Sequence, residues 1–153
     1  MTPLRLIIVG LGARAKTWLK VAEANAEVEI VALCDPNPAA QTSAAEHFPD
    51  IPIGADITEI IGTDADAVLL CTPPGGRERQ IEVSCAKGLD ILAEKPLADN
   101  VVAAARYVEM AASAGVHLIV GLNFRYLNVT QEMRNLLATG AIGTPEFGRF
   151  TYE

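Results

Sequence analysis

The fold of this chain is decided by residues 4–15, which read LRLIIVGLGARA. The first six residues form a short, mostly apolar run of the kind found in buried parallel strands. The next six match the pattern G-x-G-x-x-A, in which Gly10 permits a tight turn, Gly12 leaves room for a pyrophosphate, and Ala15 lets a helix pack close to the strand. Glycines also occur in plain strand-to-helix turns, but the order of strand, turn and helix near the N-terminus favours a dinucleotide-binding Rossmann fold.

Apolar runs continue to alternate with segments of helical length and period. The predicted strands are Leu4–Val9, Glu29–Leu33, Ala67–Cys71, Asp90–Ala93 and His117–Val120. The predicted helices are Arg14–Asn25, Pro38–Phe48, Ile57–Ile61, Arg77–Lys87 and Val101–Ser113. This alternation predicts the α/β class, and within it a doubly wound Rossmann fold with a mostly parallel six-stranded sheet.

Capping residues mark several helix boundaries. Asn37 is a predicted N-cap, and Asp56 with Glu59 forms a capping-box pattern. Gly88 and Gly115 stand where helix C-termini need a left-handed residue. In the fifth predicted helix an aliphatic stripe is expected to face the sheet. It consists of Val101, Ala104, Ala105, Val108, Ala111 and Ala112.

The pattern changes after Asn123. Asn128 is predicted to cap a helix with Gln131 at its third position, and Gly140 to close it. The apolar side of that helix is predicted to be Met133, Leu136 and Leu137. Pro145–Tyr152 alternates as a strand would, without an evident partner. Exposed Phe147, Phe150 and Tyr152 on such a strand make self-association into a homo-oligomer a further expectation.

Composition and charge exclude several function classes. The chain has 153 residues, of which 50% are hydrophobic, enough for one compact domain. Its net charge of −7 disfavours nucleic acid as a partner. The absence of a long apolar run or a signal-peptide pattern predicts a cytoplasmic protein without membrane association. The scattered residues Cys34, Cys71, Cys85, His47 and His117 indicate neither a disulfide framework nor a metal site.

Asp35 follows the second predicted strand, twenty residues after Ala15. A carboxylate at this spacing from the glycine turn is expected to accept hydrogen bonds from the adenosine ribose and to repel a 2′-phosphate, which favours NAD over NADP. The alternative is that Asp35 only begins the turn at Pro36.

Two further turns follow predicted strands. Residues 71–76, which read CTPPGG, can line a cofactor with their backbone or can be a proline-rich turn and nothing more. Cys71 is interpreted as a core thiol, because no histidine is placed to activate it. Lys95, in Glu94-Lys95-Pro96, can reach a hydroxyl or carbonyl held over a nicotinamide ring, although an isolated lysine is usually a surface charge. A cis bond before Pro96 would aim that side chain in a fixed direction.

Together these residues resemble the glucose-fructose oxidoreductase, inositol dehydrogenase and MocA (Gfo/Idh/MocA) family. The resemblance runs from Leu6 to Phe150 and covers the family's N-terminal half. Glu94-Lys95-Pro96-Leu97 is similar to the family's Glu-Lys-Pro signature, and Thr72-Pro73 to its Thr-Pro turn. Residues 121–125, GLNFR, and residues 140–143, GAIG, are similar to segments that the family carries beyond its last Rossmann strand.

The resemblance implies an NAD(P)-dependent oxidoreductase acting on sugars, cyclitols and related polyols. It implies residues 1–122 as the NAD(P)-binding domain and residues 123–153 as the start of a truncated C-terminal substrate domain. Lys95 would lie near the reacting carbon as the catalytic residue. Cofactor contacts would come from Gly10, Gly12, Ala13, Arg14, Ala15, Asp35, Thr72, Pro73, Glu94 and Lys95. The chain departs from the family at Arg77, where a histidine is common, and the family's catalytic histidine or aspartate belongs to the C-terminal half.

These observations lead to one main hypothesis and two rivals. The main hypothesis is the NAD-binding domain of an oxidoreductase that transfers hydride between nicotinamide and a sugar or polyol, incomplete for catalysis by itself. The first rival is a stand-alone NAD(H)-binding regulatory or interaction module. The second is an aldehyde or amino-acid-pathway reductase with a similar first domain, which Glu94-Lys95-Pro96 fits less well.

Overall fold

A computed structural model describes residues 2–149 and 151, and its main feature is a six-stranded, all-parallel sheet. The strand order is β3-β2-β1-β4-β5-β6. The strands are β1 (Leu4–Val9), β2 (Val28–Cys34), β3 (Ile53–Gly54), β4 (Ala67–Leu70), β5 (Asp90–Ala93) and β6 (Leu118–Val120). The predicted doubly wound α/β fold is confirmed.

Five helices cover the two faces of this sheet: α1 (Ala13–Glu23), α2 (Pro38–His47), α3 (Ile57–Ile60), α4 (Arg77–Lys87) and α5 (Val101–Ala114). Alternate residues of a strand point to opposite faces, so β1 serves two cores. Ile8 packs with residues of α1 and α2, and Ile7 and Val9 pack with residues of α3, α4 and α5. All three side chains are at most 2% exposed.

The sheet reverses its strand order between β1 and β4. β1 pairs with β2 on one side and with β4 on the other, so the connections on the two sides wind in opposite directions. In open parallel sheets, ligands bind in the crevice at the carboxyl ends of the strands beside this reversal. The segments that follow β2, β1, β4 and β5 therefore define where a site can be built.

The predicted caps at Asn37, Asp56, Gly88 and Gly115 are confirmed, whereas the capping box is not closed at the N-cap itself. The Asn37 side chain accepts a hydrogen bond from Ala39 N at 3.0 Å, and that of Asp56 accepts one from Thr58 N at 3.0 Å. Glu59 reaches back to the N–H of Ala55, one residue before the cap, at 2.9 Å. Gly88 and Gly115 both adopt left-handed conformations at helix C-termini. β3 was not predicted from the sequence, because a strand of only two residues gives no recognisable apolar run.

The predicted buried stripe of α5 is confirmed at Ala111 and wrong at four other positions, Val101, Ala105, Val108 and Ala112, which are exposed. Val101 and Val108 are 83% and 55% exposed, whereas the buried residues of this helix are Tyr107 and Ala111. Ala103 and Met110 pack partly buried against the same core. The helix is aliphatic around much of its circumference, so the side with the large aromatic ring, which buries more apolar area, faces the sheet.

Residues 122–153 form a second compact unit, separate from 1–121. Within it lie a short 3-10 helix (Asn123–Tyr126) and α6 (Asn128–Ala138). The predicted Asn128 cap is wrong, because Leu127 is the N-cap and Gln131 donates to Arg125 O at 2.8 Å instead. Gly140 is left-handed after α6, as expected.

The predicted strand Pro145–Tyr152 is wrong for the residues that the structure describes there, 145–149 and 151, none of which is paired in a sheet. Phe150 and Tyr152 lie outside the described residues. A strand is stabilised by a hydrogen-bonded neighbour, and the described chain supplies none for this segment.

Among the helices of the described residues, none has the length and apolar character needed to cross a membrane.

Candidate functional site

The glycine turn between β1 and α1 contains two glycines with different roles. Gly10 has a φ of +88°, and a Cβ there would lie 3.0 Å from backbone atoms of Cys71 and Thr72. At Gly12, a Cβ would meet no described protein atom within 4 Å. Gly10 is therefore required by the fold of the turn, whereas Gly12 faces open space.

That open space lies at the N-terminus of α1. Gly12 is the N-cap, no side chain caps the helix, and the first turn has no acidic residue. The first N–H groups of a helix lack intrahelical partners and carry the positive end of its dipole. The arrangement suits an anion such as a pyrophosphate.

Asp35, directly after β2, is bound to this turn. Its Oδ2 accepts a hydrogen bond from Leu11 N at 2.7 Å, and its Oδ1 accepts one from Asn37 N at 2.8 Å. The bond from Asn37 N is the one expected if Asp35 begins the turn at Pro36, which was the alternative given from the sequence. Each carboxylate oxygen retains a further lone pair, and the residue is half-buried, so it can accept additional hydrogen bonds.

Glu94, at the end of β5, is a buried carboxylate that is 4% exposed. Its Oε1 accepts hydrogen bonds from Arg14 Nε at 2.5 Å and from Trp18 Nε1 at 2.7 Å. Its Oε2 accepts a longer one from Lys95 N at 3.2 Å. Burial raises the pKa of Glu94, but the bonds from Trp18 and Arg14 outweigh it, so the pKa lies below its usual value. The carboxylate thus links α1 to β5.

Glu94→Gln is expected to lower the free energy of unfolding by about 1–2 kcal/mol at neutral pH, because charge-assisted hydrogen bonds are lost. A depressed folded-state pKa adds stability that is complete above the ordinary value of 4.5 and is lost as the pH falls through the folded value. In urea unfolding, the difference in free energy of unfolding between wild type and Glu94→Gln should therefore become smaller below pH 4.5. The control is Glu78→Gln, which breaks an exposed ion pair with Arg106. A gap independent of pH would contradict this role.

Lys95 follows Glu94 and is exposed. Its peptide bond to Pro96 is cis, as considered from the sequence. The ammonium group makes no hydrogen bond or ion pair with the residues that the structure describes. Its charge is therefore available to a ligand at this edge of the sheet.

The turn after β4 is held from two sides. Thr72 Oγ1 donates to Gln80 Oε1 at 2.7 Å, and Thr72 O accepts from Arg77 Nη2. Arg77 is only 1% exposed. Pro73 follows in the same turn.

Burial raises the pKa of the Cys71 thiol to about 12, so Cys71 stays protonated at neutral pH, which agrees with its interpretation as a core thiol.

The structure thus brings the predicted site residues together at the carboxyl ends of four adjacent strands. Asp35 follows β2, Gly10 to Ala15 follow β1, Thr72 and Pro73 follow β4, and Glu94 and Lys95 follow β5. Direct bonds join the β1 turn to Asp35 and to Glu94. Among the described residues, no cluster of three or more His, Cys, Asp or Glu could hold a metal ion.

Two features of this region were not predicted from the sequence. One is the hydrogen bond from Trp18 to Glu94, and the other is the burial of Arg77. Trp18 lies one helical turn after Arg14, so both side chains can reach the same carboxylate. Arg77, Ile81 and Ser84 have the spacing of a single helix face, and all three are buried. That spacing was the available signal that Arg77 points inward.

Comparison with known proteins identifies the family. Residues 4–122 match the family model described as oxidoreductase family, NAD-binding Rossmann fold, of the Gfo/Idh/MocA group. The chain belongs to the Gfo/Idh/MocA oxidoreductase family. The resemblance found in the sequence is confirmed, and the Gfo/Idh/MocA match covers the whole of the six-stranded sheet.

Individual Gfo/Idh/MocA relatives are similar over most of this chain. The rhizopine catabolism protein MocA of Rhizobium meliloti is 28% identical over 94% of the chain. Inositol 2-dehydrogenase 4 of Saccharopolyspora erythraea is 31% identical over 76%. The WlbA dehydrogenase of Bordetella pertussis, solved in complex with NADH and UDP-GlcNAcA, superimposes with a TM-score of 0.86 at 26% identity over 92%. The chain spans 45%, 35% and 43% of their respective lengths, less than half of each.

Proposed function

We propose that this chain binds NAD(H) in preference to NADP(H) as the cofactor half of an oxidoreductase. The reaction would transfer hydride between nicotinamide and a hydroxyl-bearing carbon of a sugar, cyclitol or related polyol. The observation that carries the proposal is the open space at Gly12, where a Cβ would meet no described protein atom, beside the uncapped N-terminus of α1. Family membership and the inositol dehydrogenase and NADH-bound relatives support the cofactor and the substrate class.

The glycine turn would hold the pyrophosphate. The main chain of Gly12 and Ala13 can approach it closely, and the N–H groups at the start of α1 point toward it. Ala15 is fully buried, which keeps the helix close to the sheet. The guanidinium of Arg14 remains partly exposed, with Glu94 fixing its Nε end. We assign the Glu94 side chain to orienting Arg14, and any contact of Glu94 with the cofactor to its main chain.

The other half of the proposed site lies beyond the strand reversal, at β4 and β5. The main chain of Thr72 and Pro73 would line the nicotinamide end. NAD(H) supplies or accepts the hydride when it is bound. Lys95 Nζ would donate a hydrogen bond to the substrate oxygen at the reacting carbon and help to move its proton.

Titration with NADH tests the proposal directly. Trp18 is the one tryptophan in the sequence, and its indole N–H is bonded to Glu94 within the site. Its emission overlaps the absorption of reduced nicotinamide, so we expect quenching and energy transfer as NADH binds. NADPH should bind more weakly. A correctly folded sample that binds no NADH would overturn the proposal.

Asp35→Asn tests the cofactor preference. The substitution keeps an acceptor oxygen beside Leu11 N but removes the charge that would repel a 2′-phosphate. We expect the ratio of NADPH to NADH affinity to rise by roughly tenfold to a hundredfold, the equivalent of about 1.4–2.7 kcal/mol. Asp50→Asn, which changes the net charge equally at an exposed position outside the site, is the matched control. If wild type binds NADPH as tightly as NADH, the ribose role of Asp35 is wrong.

A further inference from the structure

Arg77 is a buried cation at the first position of α4 that the proposed chemistry does not use. Its guanidinium bonds only main-chain carbonyl groups among the described residues. Nη2 donates to Thr72 O, and Nη1 donates to Glu94 O, to Pro96 O at 2.7 Å and to Leu97 O at 3.3 Å. One side chain therefore joins the turn after β4 to the segment after β5.

Stability alone is a weak explanation for an arginine at this position. Removing a charge from water is costly; Glu94 and Asp99 attract the Arg77 guanidinium electrostatically, but no carboxylate within the described residues lies at ion-pair distance from it. Its Nε is buried and has no hydrogen-bond partner there. A well-packed apolar side chain would avoid both costs. An apolar side chain cannot, however, join two loops by hydrogen bonds, as the planar guanidinium does with its several N–H donors.

The position of these loops relates them to one half of a dinucleotide. Asp35 follows β2 and the glycine turn follows β1, on one side of the strand reversal. Thr72 and Lys95 follow β4 and β5, on the other side. A dinucleotide laid across this edge, as proposed above, has its ADP part at β1 and β2 and its nicotinamide part at β4 and β5.

We infer that Arg77 is a positioning residue for the nicotinamide half of the cofactor site. It fixes the Thr72 main chain, which would line the nicotinamide ring, relative to the segment that carries Lys95, which would lie beside the reacting carbon. The inference rests on the proposed function. The Arg77 guanidinium forms no hydrogen bond with the described residues that would bind the ADP half.

The test compares two ligands on the same variants. NADH requires both halves of the site, whereas ADP requires only the glycine turn and Asp35. Arg77→Met removes all the guanidinium bonds, and Arg77→Lys keeps the charge but not the planar fork. Arg79→Met and Arg79→Lys are matched controls two residues along the same helix, at a side chain that is 68% exposed. Circular dichroism establishes that each variant is folded, and calorimetry measures both dissociation constants.

We expect Arg77→Met to weaken NADH binding by about tenfold to a hundredfold while ADP binding changes less than about twofold. Arg77→Lys should fall between Arg77→Met and wild type, and the Arg79 variants should match wild type. Equal losses for NADH and ADP, or no loss for either, would overturn the inference. If Arg77→Met does not fold, Arg77→Lys decides by the same comparison, with a loss of at least about threefold confined to NADH. If wild type binds neither ligand, it is the proposed function that fails.

Discussion

Gly12→Val is expected to reduce NADH affinity by at least about a hundredfold, or roughly 2.7 kcal/mol, while the protein stays folded. A side chain at Gly12 would point into space that is empty of described protein atoms and that the proposed pyrophosphate needs. The backbone at Gly12, with φ −68° and ψ −170°, is accessible to any residue, so the substitution adds no backbone strain. The free energy of unfolding should fall by no more than about 1 kcal/mol, from the poorer N-cap.

Gly10→Ala is the matched comparison, because the two glycines are separated by one residue. Gly10 has a left-handed backbone, and an added Cβ would press against the main chain of Cys71 and Thr72 at 3.0 Å. We expect a loss of about 2–4 kcal/mol in the free energy of unfolding, from the conformational cost and from overpacking.

Denaturant unfolding and NADH titration on both variants separate the two roles. Gly12→Val should be nearly as stable as wild type but bind NADH at least about a hundredfold more weakly, and Gly10→Ala should be clearly less stable. Wild-type affinity in folded Gly12→Val would mean that no phosphate approaches the main chain at this turn, and the cofactor proposal would lose its principal support.

The parts of the fold that could be predicted from the sequence depend on local chemistry. Asn37, Asp56 and Gly88 mark helix ends because capping involves atoms only a few residues away. The position of Asp35 followed from the spacing set by the glycine turn, and the structure places it within hydrogen-bonding distance of Leu11 N. Local rules sufficed wherever the partner was close along the chain.

The parts that could not be predicted depend on distant partners. The face that α5 buries is decided by the pocket that Tyr107 fills, which other elements build. The buried guanidinium of Arg77 is hydrogen-bonded to carbonyl groups up to twenty residues away along the chain, on the segment that follows β5. The bond from Trp18 to Glu94 spans 76 residues. For the segment after Thr144, an alternating pattern was not enough, because a strand needs a neighbour.

Lys95→Ala is expected to separate binding from chemistry. The Lys95 ammonium forms no hydrogen bond or ion pair with another described residue, so its removal should leave the melting temperature unchanged and the NADH dissociation constant within about twofold. A side chain that takes part in proton transfer contributes about 10²–10⁴ to the rate, so turnover should fall by that factor. Because the chain spans less than half the length of its relatives, turnover is measured on the complete natural translation product that contains this sequence.

The control for Lys95→Ala is Lys87→Ala, an exposed lysine in the last turn of α4, away from the carboxyl ends of the strands. A panel of inositols, pentoses and hexoses at saturating NAD should show activity with wild type and with Lys87→Ala, and almost none with Lys95→Ala. Unchanged turnover in Lys95→Ala would remove this lysine from the mechanism. If Lys95→Ala binds NADH without turning over substrate and Gly12→Val binds it at least about a hundredfold more weakly, cofactor binding and proton transfer depend on two different strand ends of one sheet.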